Sequence, residues 1–480
     1  MSDFVPPFPP RLAEPPSAVR RLQIGRRNFL AMWEDSMFES DFAATRILMR
    51  QCFVCNSPES VQFAFSQKNA SFERKSPQMR HALEPLLGDG LFISDGATWR
   101  TRRRIVAPIV HISRLSAYAP HMVEVAAEFR DRWAGQEGGT IDVLSECAEL
   151  TAEVVSRSLF GRQLGKRYAH QIVQGFSEYQ REIDQVDVMA MLGLPDWMPR
   201  YRNAATRKAI KRMHAALDDI IASCRAHAGT EEQSVIMRLL EAKDEETGAP
   251  LSHEAVRNEV AVLFMAGHET TANSVAWTWY LLSQVPEVEA RFHAEIASVL
   301  GGRLPSFQDA AKLVYTRAIF EEALRLYPPV PILPREALQD ESFQNMKIPK
   351  GSLIFVVPWL LHRHRLLWER PDHFVPERFL GENAERISKF QYVPFSIGPR
   401  ICAGMAFGLT EAILCLATLG QSLRLRLVPG TDVQPVCRLT LRPGNGLPMI
   451  VEKRAGVARA GEWQARGTAA PPTGCPVHHA

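Results

Sequence analysis

Apolar residues recur with a helical period along most of the chain. Val123, Ala126, Ala127 and Phe129 predict a helix over Met122–Trp133, and Ile210, Leu217, Ile220 and Ile221 predict one over Ala204–Ala226. An unusually long pattern runs from Ser252 to Gln284 and stops just before Pro286, and another runs from Val314 to Tyr327 and stops at Pro328-Pro329. A further helix is predicted over Met405–Thr418, whereas Glu231–Pro250, polar at both ends, reads as a loop. Strand-like pieces are short and late: Leu353–Val357, Leu423–Val428, and Arg438–Leu441 paired with Met449–Glu452 across a turn at Pro443–Gly446. Pro6, Pro7, Pro9 and Pro10 make residues 1–24 an extended N-terminal arm. The fold class that follows is mainly α with small β-sheets, in one helix-rich domain over 25–455. From about Gly456 the composition turns to Ala, Gly, Arg and Pro, which predicts a disordered tail over 456–480.

Composition narrows the function. The chain is 46% hydrophobic and 23% charged, an ordinary globular balance. A net charge of +3 gives no argument for nucleic acid as a partner. The one apolar stretch long enough to suggest a membrane span, Val260–Leu282, is interrupted by His268, Glu269 and Asn273, so no membrane anchor is expected. With no secretory signal, eight scattered cysteines read as reduced thiols of a cytoplasmic protein. Cys52-x-x-Cys55 has redox or metal spacing but lacks a second pair. The tail Cys475-Pro476-Val477-His478-His479 has metal-binding residue types, and is expected to do nothing specific.

Three local anomalies carry candidate chemistry. The first is Gly267-His268-Glu269-Thr270-Thr271, set in the middle of the long apolar helix, where polar groups are costly without partners or a task. Gly267 and back-bonding hydroxyls would open a groove there, and Glu269 with Thr270 could relay protons to a small molecule; a kinked core helix with satisfied polar groups explains the same residues. The second is Glu322 and Arg325, three apart among apolar neighbours, with Arg378 in Pro376-Glu377-Arg378-Phe379 able to complete a buried network; an ordinary surface pair is the alternative. The third is the segment Phe395 to Gly404, with Cys402 just before a helix N-terminus, where amides stabilise a thiolate. Gly398 and Gly404 allow tight turns and the approach of a flat ligand, and Arg400 suits a carboxylate.

Together these residues resemble the signatures of the cytochrome P-450 family. The segment 395–404 matches Phe-x-x-Gly-x-Arg-x-Cys-x-Gly at every fixed position. Glu322 and Arg325 match Glu-x-x-Arg, and Pro376–Phe379 matches Pro-Glu-Arg-Phe. Ala266–Thr271 matches Ala-Gly-x-Glu-Thr-Thr, and Trp99 with Arg103 matches Trp-x-x-x-Arg. All five occur in the family's order. The resemblance implies the family's triangular, mostly helical fold and haem b, with Cys402 as axial ligand to the iron. It implies that Trp99, Arg103, Arg335 and Arg400 hold the propionates, that Phe395, Gly398, Gly404 and Ala266 line the cofactor, and that Glu322, Arg325 and Arg378 form a structural network. The implied reaction is insertion of one oxygen atom of dioxygen into a largely apolar substrate, with Thr270 and Glu269 organising protons. Phe92, Val262, Phe264, Val330, Ile332, Leu333, Leu439 and Thr440 would line the pocket. Electrons would come from a separate ferredoxin- or flavodoxin-type donor docked on a basic face at Arg100, Arg102, Arg103 and Arg104. A peroxide-driven peroxygenase, an isomerase or a non-catalytic haem protein on the same scaffold are the competing expectations.

Overall fold

The computed structural model describes residues 3–161, 204–226, 234–437 and 439–454, together with a few positions between 175 and 194. The expected tail, with Cys475 and His479, lies outside the described residues.

The architecture is organised around the helix His253–Gln284. Ser252 caps it, its hydroxyl accepting from the Ala255 amide at 3.1 Å, and Pro286 begins the next helix, Pro286–Leu300. The long helix is apolar nearly all round and is buried nearly all round, as such a pattern requires. The helix Val143–Phe160 lies along it: a Cβ added at Gly267 would sit 3.0 Å from Val155 Cγ2, so glycine sets how closely the two approach. The helix runs unbroken through Gly267. Its hydroxyls are satisfied within the helix, since Thr270, Ser274 and Thr278 each donate to the carbonyl four residues earlier, at 2.7, 2.8 and 2.7 Å.

The helix Met405–Gly420 packs against Leu115–Ala134 and Val314–Leu326. Glu322 and Arg325 on the last of these are fully buried. Arg325 grips Glu322 through two bonds of 2.6 and 2.7 Å and spends its other protons on the carbonyls of His362, Pro371 and His373. Glu322 also accepts from the Val375 amide at 2.8 Å, and Arg378 Nε stands 3.4 Å away. The reading of Glu322, Arg325 and Arg378 as a network is what the structure contains, with the extra hydrogen bonds that make a buried pair tolerable.

A five-stranded sheet carries, in order, Phe42–Ile47, Arg50–Cys55, Leu353–Val356, Leu333–Glu336 and Arg74–Lys75. Cys52 and Cys55 lie three apart on one strand and therefore face opposite sides, where each packs in a different apolar cluster. Burial pushes both thiols up, Cys52 to about 11, and, facing opposite sides of the strand, the two do not converge on one another.

Three expectations are corrected. Pro448–Lys453 pairs with Leu423–Leu427 and with Thr140–Asp142, not with a strand at Arg438–Leu441; the short strand Leu441–Pro443 pairs instead with Pro435–Cys437. Met449 and Val451 are fully buried, and only the long-range pairing places them beside buried Leu425 and Ile141. The extended arm gives way early to a helix, Ala18–Arg27, capped by Ser17, and its first residues are docked: the Pro7 carbonyl accepts from Tyr327 and Arg11 clasps Asp372. The predicted loop after 231 contains a helix, Val235–Glu241, because Val235, Ile236 and Leu239 reach the core. No helix among the described residues is long and apolar enough to cross a membrane.

Candidate active site

Cys402 lies in a tight loop. Its amide donates to the Phe395 carbonyl at 2.9 Å, and Ile401 donates to the Gly398 carbonyl at 3.0 Å. Gly398 is obligatory on two counts. Its φ is +73°, and a Cβ there would fall 1.9 Å from the Phe65 carbonyl oxygen. Gly404 has an ordinary φ of −90°, so the turn does not require glycine there, and the atom nearest an added Cβ is Cys402 Sγ at 4.0 Å. Cys402 is exposed although it sits deep in the fold. Ala266 is exposed in the middle of the otherwise buried long helix, and Thr270 follows it one turn later on the same face. These two exposed positions within an otherwise buried interior, Cys402 and the Ala266–Thr270 face, mark a candidate slot. The surrounding protein pushes the Cys402 thiol up, while the Gly404 amide and the Arg103 charge pull it back.

One edge of this slot is strongly cationic. Arg335 is 2% exposed, and its only hydrogen bond among the described residues is to the Pro334 carbonyl. Burial first, and Arg400 second, lower its guanidinium to about 9. Lys75 is its partner across the antiparallel ladder, and burial, then Arg335 and Arg400, hold its ammonium well below the ordinary range. Its ammonium stands over the Phe92 ring at 4.7 Å. Arg400 lies over Trp99 at 4.6 Å, gives one bond to the Ser94 carbonyl and leaves Nε unpaired. Burial lowers it to about 10, partly offset by Glu73 and Asp95. Three buried cations with no ion pair among the described residues are not tolerable in isolation. They fit a ligand that brings two carboxylates to this edge, and a thiol-bearing loop beneath a flat slot fits its metal. Haem b has both features. Lys75 was not legible from sequence: in Phe72-Glu73-Arg74-Lys75 it looks like one more surface charge, and only the pairing with the Arg335 strand turns it inward.

The acid and alcohol of the long helix part company. The Thr270 hydroxyl donates to the Ala266 carbonyl beside the slot. The Glu269 carboxylate is buried and accepts from the Thr440 hydroxyl at 2.6 Å, and Asn273 donates to the same hydroxyl at 3.1 Å. Thr440 is therefore a partner of Glu269 rather than a pocket wall. Thr271 turns toward the Met405–Gly420 helix, near Gly408 and the buried Glu411, whose carboxyl is pushed well up by burial. Val262 shares the Ala266 face one turn earlier. Phe264, about 200° round the helix from Ala266, instead stacks on buried His268 with centroids 5.7 Å apart and belongs to the core. Phe92, Val330, Ile332 and Leu439 are half-buried and Leu333 is buried, with the Leu441 amide on the Pro329 carbonyl tying the last loop to the 330–333 segment.

The arginine run is less free than expected. Arg102 is buried on Asp89, Arg103 donates to the Ile401 carbonyl at 2.8 Å, and Arg104 pairs with Asp244 and Glu246. Only Arg100, half-exposed and 3.4 Å from Glu73, keeps a guanidinium at the surface.

The family model described as Cytochrome P450 matches residues 22–447. The chain is 34% identical over 421 residues to cyclooctatin synthase of Streptomyces melanosporofaciens, covering 86% of this chain and 89% of that one. It is also 34% identical over 375 residues to cyclooctat-9-en-7-ol 5-monooxygenase of the same organism, covering 77% and 79%. The chloroplastic carotene epsilon-monooxygenase of Arabidopsis thaliana is 30% identical over 399 residues, 77% of this chain and 72% of that one. Among solved structures, the haem domain of cytochrome P450DA superposes with a TM-score of 0.78 at 27% identity, over 94% of this chain and 98% of that one.

Proposed function

The chain belongs to the cytochrome P450 family of haem-thiolate monooxygenases, and from that premise we propose which of its residues do the work. Cys402 would hold the haem iron through its thiolate. Lys75, Arg335, Arg400 and Arg103, with Trp99, would hold the propionates, while Phe395, Gly398, Gly404 and Ala266 would shape the slot. The stretch 25–455 acts as one domain. The observations that carry this assignment are an exposed cysteine and an exposed alanine in otherwise buried surroundings, and three buried cations that make no ion pair among the described residues.

Bound haem supplies dioxygen activation, a thiolate ligand favouring O–O cleavage. The chain supplies position and protons. The Ala266 methyl leaves room above the slot, and Thr270 presents its hydroxyl there. Glu269, one residue away, is the acid that resupplies Thr270 from the interior. Val262, Phe92, Val330, Ile332, Leu333 and Leu439 exclude water and favour a largely apolar substrate. The relatives named for cyclooctat-9-en-7-ol and carotene point the same way.

Monooxygenases of this family use redox partners and organic substrates. For this chain a ferredoxin- or flavodoxin-type donor is the finer assignment, supported by the exposed Arg100 near the loop side of the slot. Buried thiols outside any disulfide at Cys52, Cys55, Cys147 and Cys415 support a reducing, cytoplasmic setting. The test is turnover with a ferredoxin and its reductase, on a compound selected for shifting the haem spin state, under isotopically labelled dioxygen. One labelled atom in the product is expected; product formed with peroxide but never with the ferredoxin system would replace this reading by a peroxygenase.

A further inference from the structure

We propose that Glu259 is the positioning residue that clamps the Gly88–Ile93 loop onto the long helix and so sets the pocket wall formed by Phe92 and Val262. The inference rests on the reading of those two residues as pocket wall and goes beyond it by naming what holds them together.

The geometry is specific. Glu259 lies seven residues before Ala266, about two turns along the same face of the His253–Gln284 helix, with Val262 between them. Its side chain is fully buried, and both carboxylate oxygens accept from the Leu91 amide, at 3.0 and 3.2 Å. Arg102, from the helix Gly96–Ile109, brings Nε to 3.4 Å of the same carboxylate and donates through Nη2 to both oxygens of Asp89, at 3.0 and 2.9 Å. Asn258, the neighbour of Glu259, donates to Asp89 at 3.0 Å. Burial pushes the Glu259 carboxyl up to about 7, the Leu91 amide and Arg102 pull it down, and Asp89 opposes them. A buried carboxylate is tolerable only with such donors, and this one draws them from the loop and from the helix that follows it.

The loop backbone is shaped for this contact. Gly88 has a φ of +54°, and a Cβ there would collide with the Asn258 amide. A Cβ at Gly90 would fall 2.7 Å from Val262 Cγ2 and 3.1 Å from the Asn258 carbonyl. The two glycines let residues 88–90 lie directly on the long helix, and Glu259 fastens the next amide. Phe92 follows at once, its ring beneath the Lys75 ammonium. The clamp thus joins the Phe92 side of the pocket to the Val262 side.

The test uses the haem-loaded full chain carrying E259L, E259Q, G90A or F92A, with the carbonyl spectrum confirming an intact haem site in each. Two quantities are read: deuterium exchange of the peptide that holds the Leu91 amide, and the Kd for 4-phenylimidazole divided by the Kd for imidazole, each from the haem absorbance shift. Imidazole needs only the iron, whereas the phenyl ring must also fit the pocket wall. E259L is expected to speed exchange at Leu91 by about ten- to hundredfold, the loss of a hydrogen bond to a charged acceptor, while peptides from Val143–Phe160 keep the parent rate. It is expected to raise the Kd ratio by about threefold or more, because the wall is no longer held ready. E259Q keeps a carbonyl for the Leu91 amide and is expected to recover most of both. G90A, which pushes the loop off Val262 without touching the carboxylate, is expected to raise the ratio as well. F92A with an altered ratio, while E259L keeps the parent exchange rate or the parent ratio, would overturn the clamp and leave the pocket reading standing. F92A with the parent ratio would bring down the pocket reading, and this inference with it.

Discussion

Arg335 offers a prediction in which structure and cofactor pull in opposite directions. Its guanidinium is enclosed by protein with two other cations near it, and its ordinary value of 12.5 falls to about 9. That fall corresponds to about 5 kcal/mol spent on keeping the group charged. No carboxylate among the described residues offsets it, and its one hydrogen bond there is to a neighbouring carbonyl. A propionate would, and a hydrogen bond to a charged group contributes about 1.5–3 kcal/mol. R335M keeps the packing against Phe65, where the guanidinium now lies 4.8 Å from the ring, and removes only the charge. Haem transfer from the loaded enzyme to an excess of apomyoglobin, followed by stopped-flow absorbance, should then be faster by about ten- to hundredfold. The apoprotein, relieved of a buried charge, should resist urea at least as well as the parent. The reasoning would be refuted by R335M losing haem within twofold of the parent rate, or by an apoprotein weakened by several kcal/mol, as if a native ion pair had been cut.

Other predictions test different parts of the account. E322A leaves Arg325 buried without its carboxylate and Val375 without an acceptor, so urea unfolding should show a loss of about 3–5 kcal/mol; replacing the pair by E322L/R325M should cost clearly less, and equal losses would contradict the burial argument. His268 is buried with its folded-state value lowered from 6.5 to about 4 by desolvation, so it stays neutral in the fold. The unfolded chain then binds the extra proton, and stability contributed above pH 6.5 should be lost as pH falls toward 4, by about 3 kcal/mol at the low end. H268F should flatten that part of the pH–stability curve, and an unchanged slope would place the acid lability elsewhere. T270V should keep haem and spin-shift binding but form less product per NADPH, with peroxide making up the difference; unchanged coupling would remove the hydroxyl from proton transfer.

Sequence carried the fold where the signal was local. Helical periodicity and the stops at Pro286 and Pro328 located the long helix and the Glu322 helix to within a residue or two. It failed where pairing is long-range: nothing local tells Met449 to prefer Leu427 over the nearby 438–441 segment, because burial of Met449 and Val451 decides it. The site divides the same way. Cys402, Arg400 and Gly398 lie within one segment and were legible together. Lys75 depends on a ladder with a strand 260 residues later. Thr440 was read as a pocket wall because its hydroxyl's target, Glu269, is a tertiary contact. Phe264 was misplaced by neglecting that two residues on a helix carry a side chain to the opposite face.

The reduced carbonyl spectrum reports whether the Cys402 sulfur binds the haem iron. The parent chain, expressed with haem precursor, should give the red-shifted band of a thiolate-ligated haem. C402H, if it retains haem, should give the histidine-type band instead. A histidine-type band in the parent, or a thiolate-type band that survives in C402A, would contradict the account.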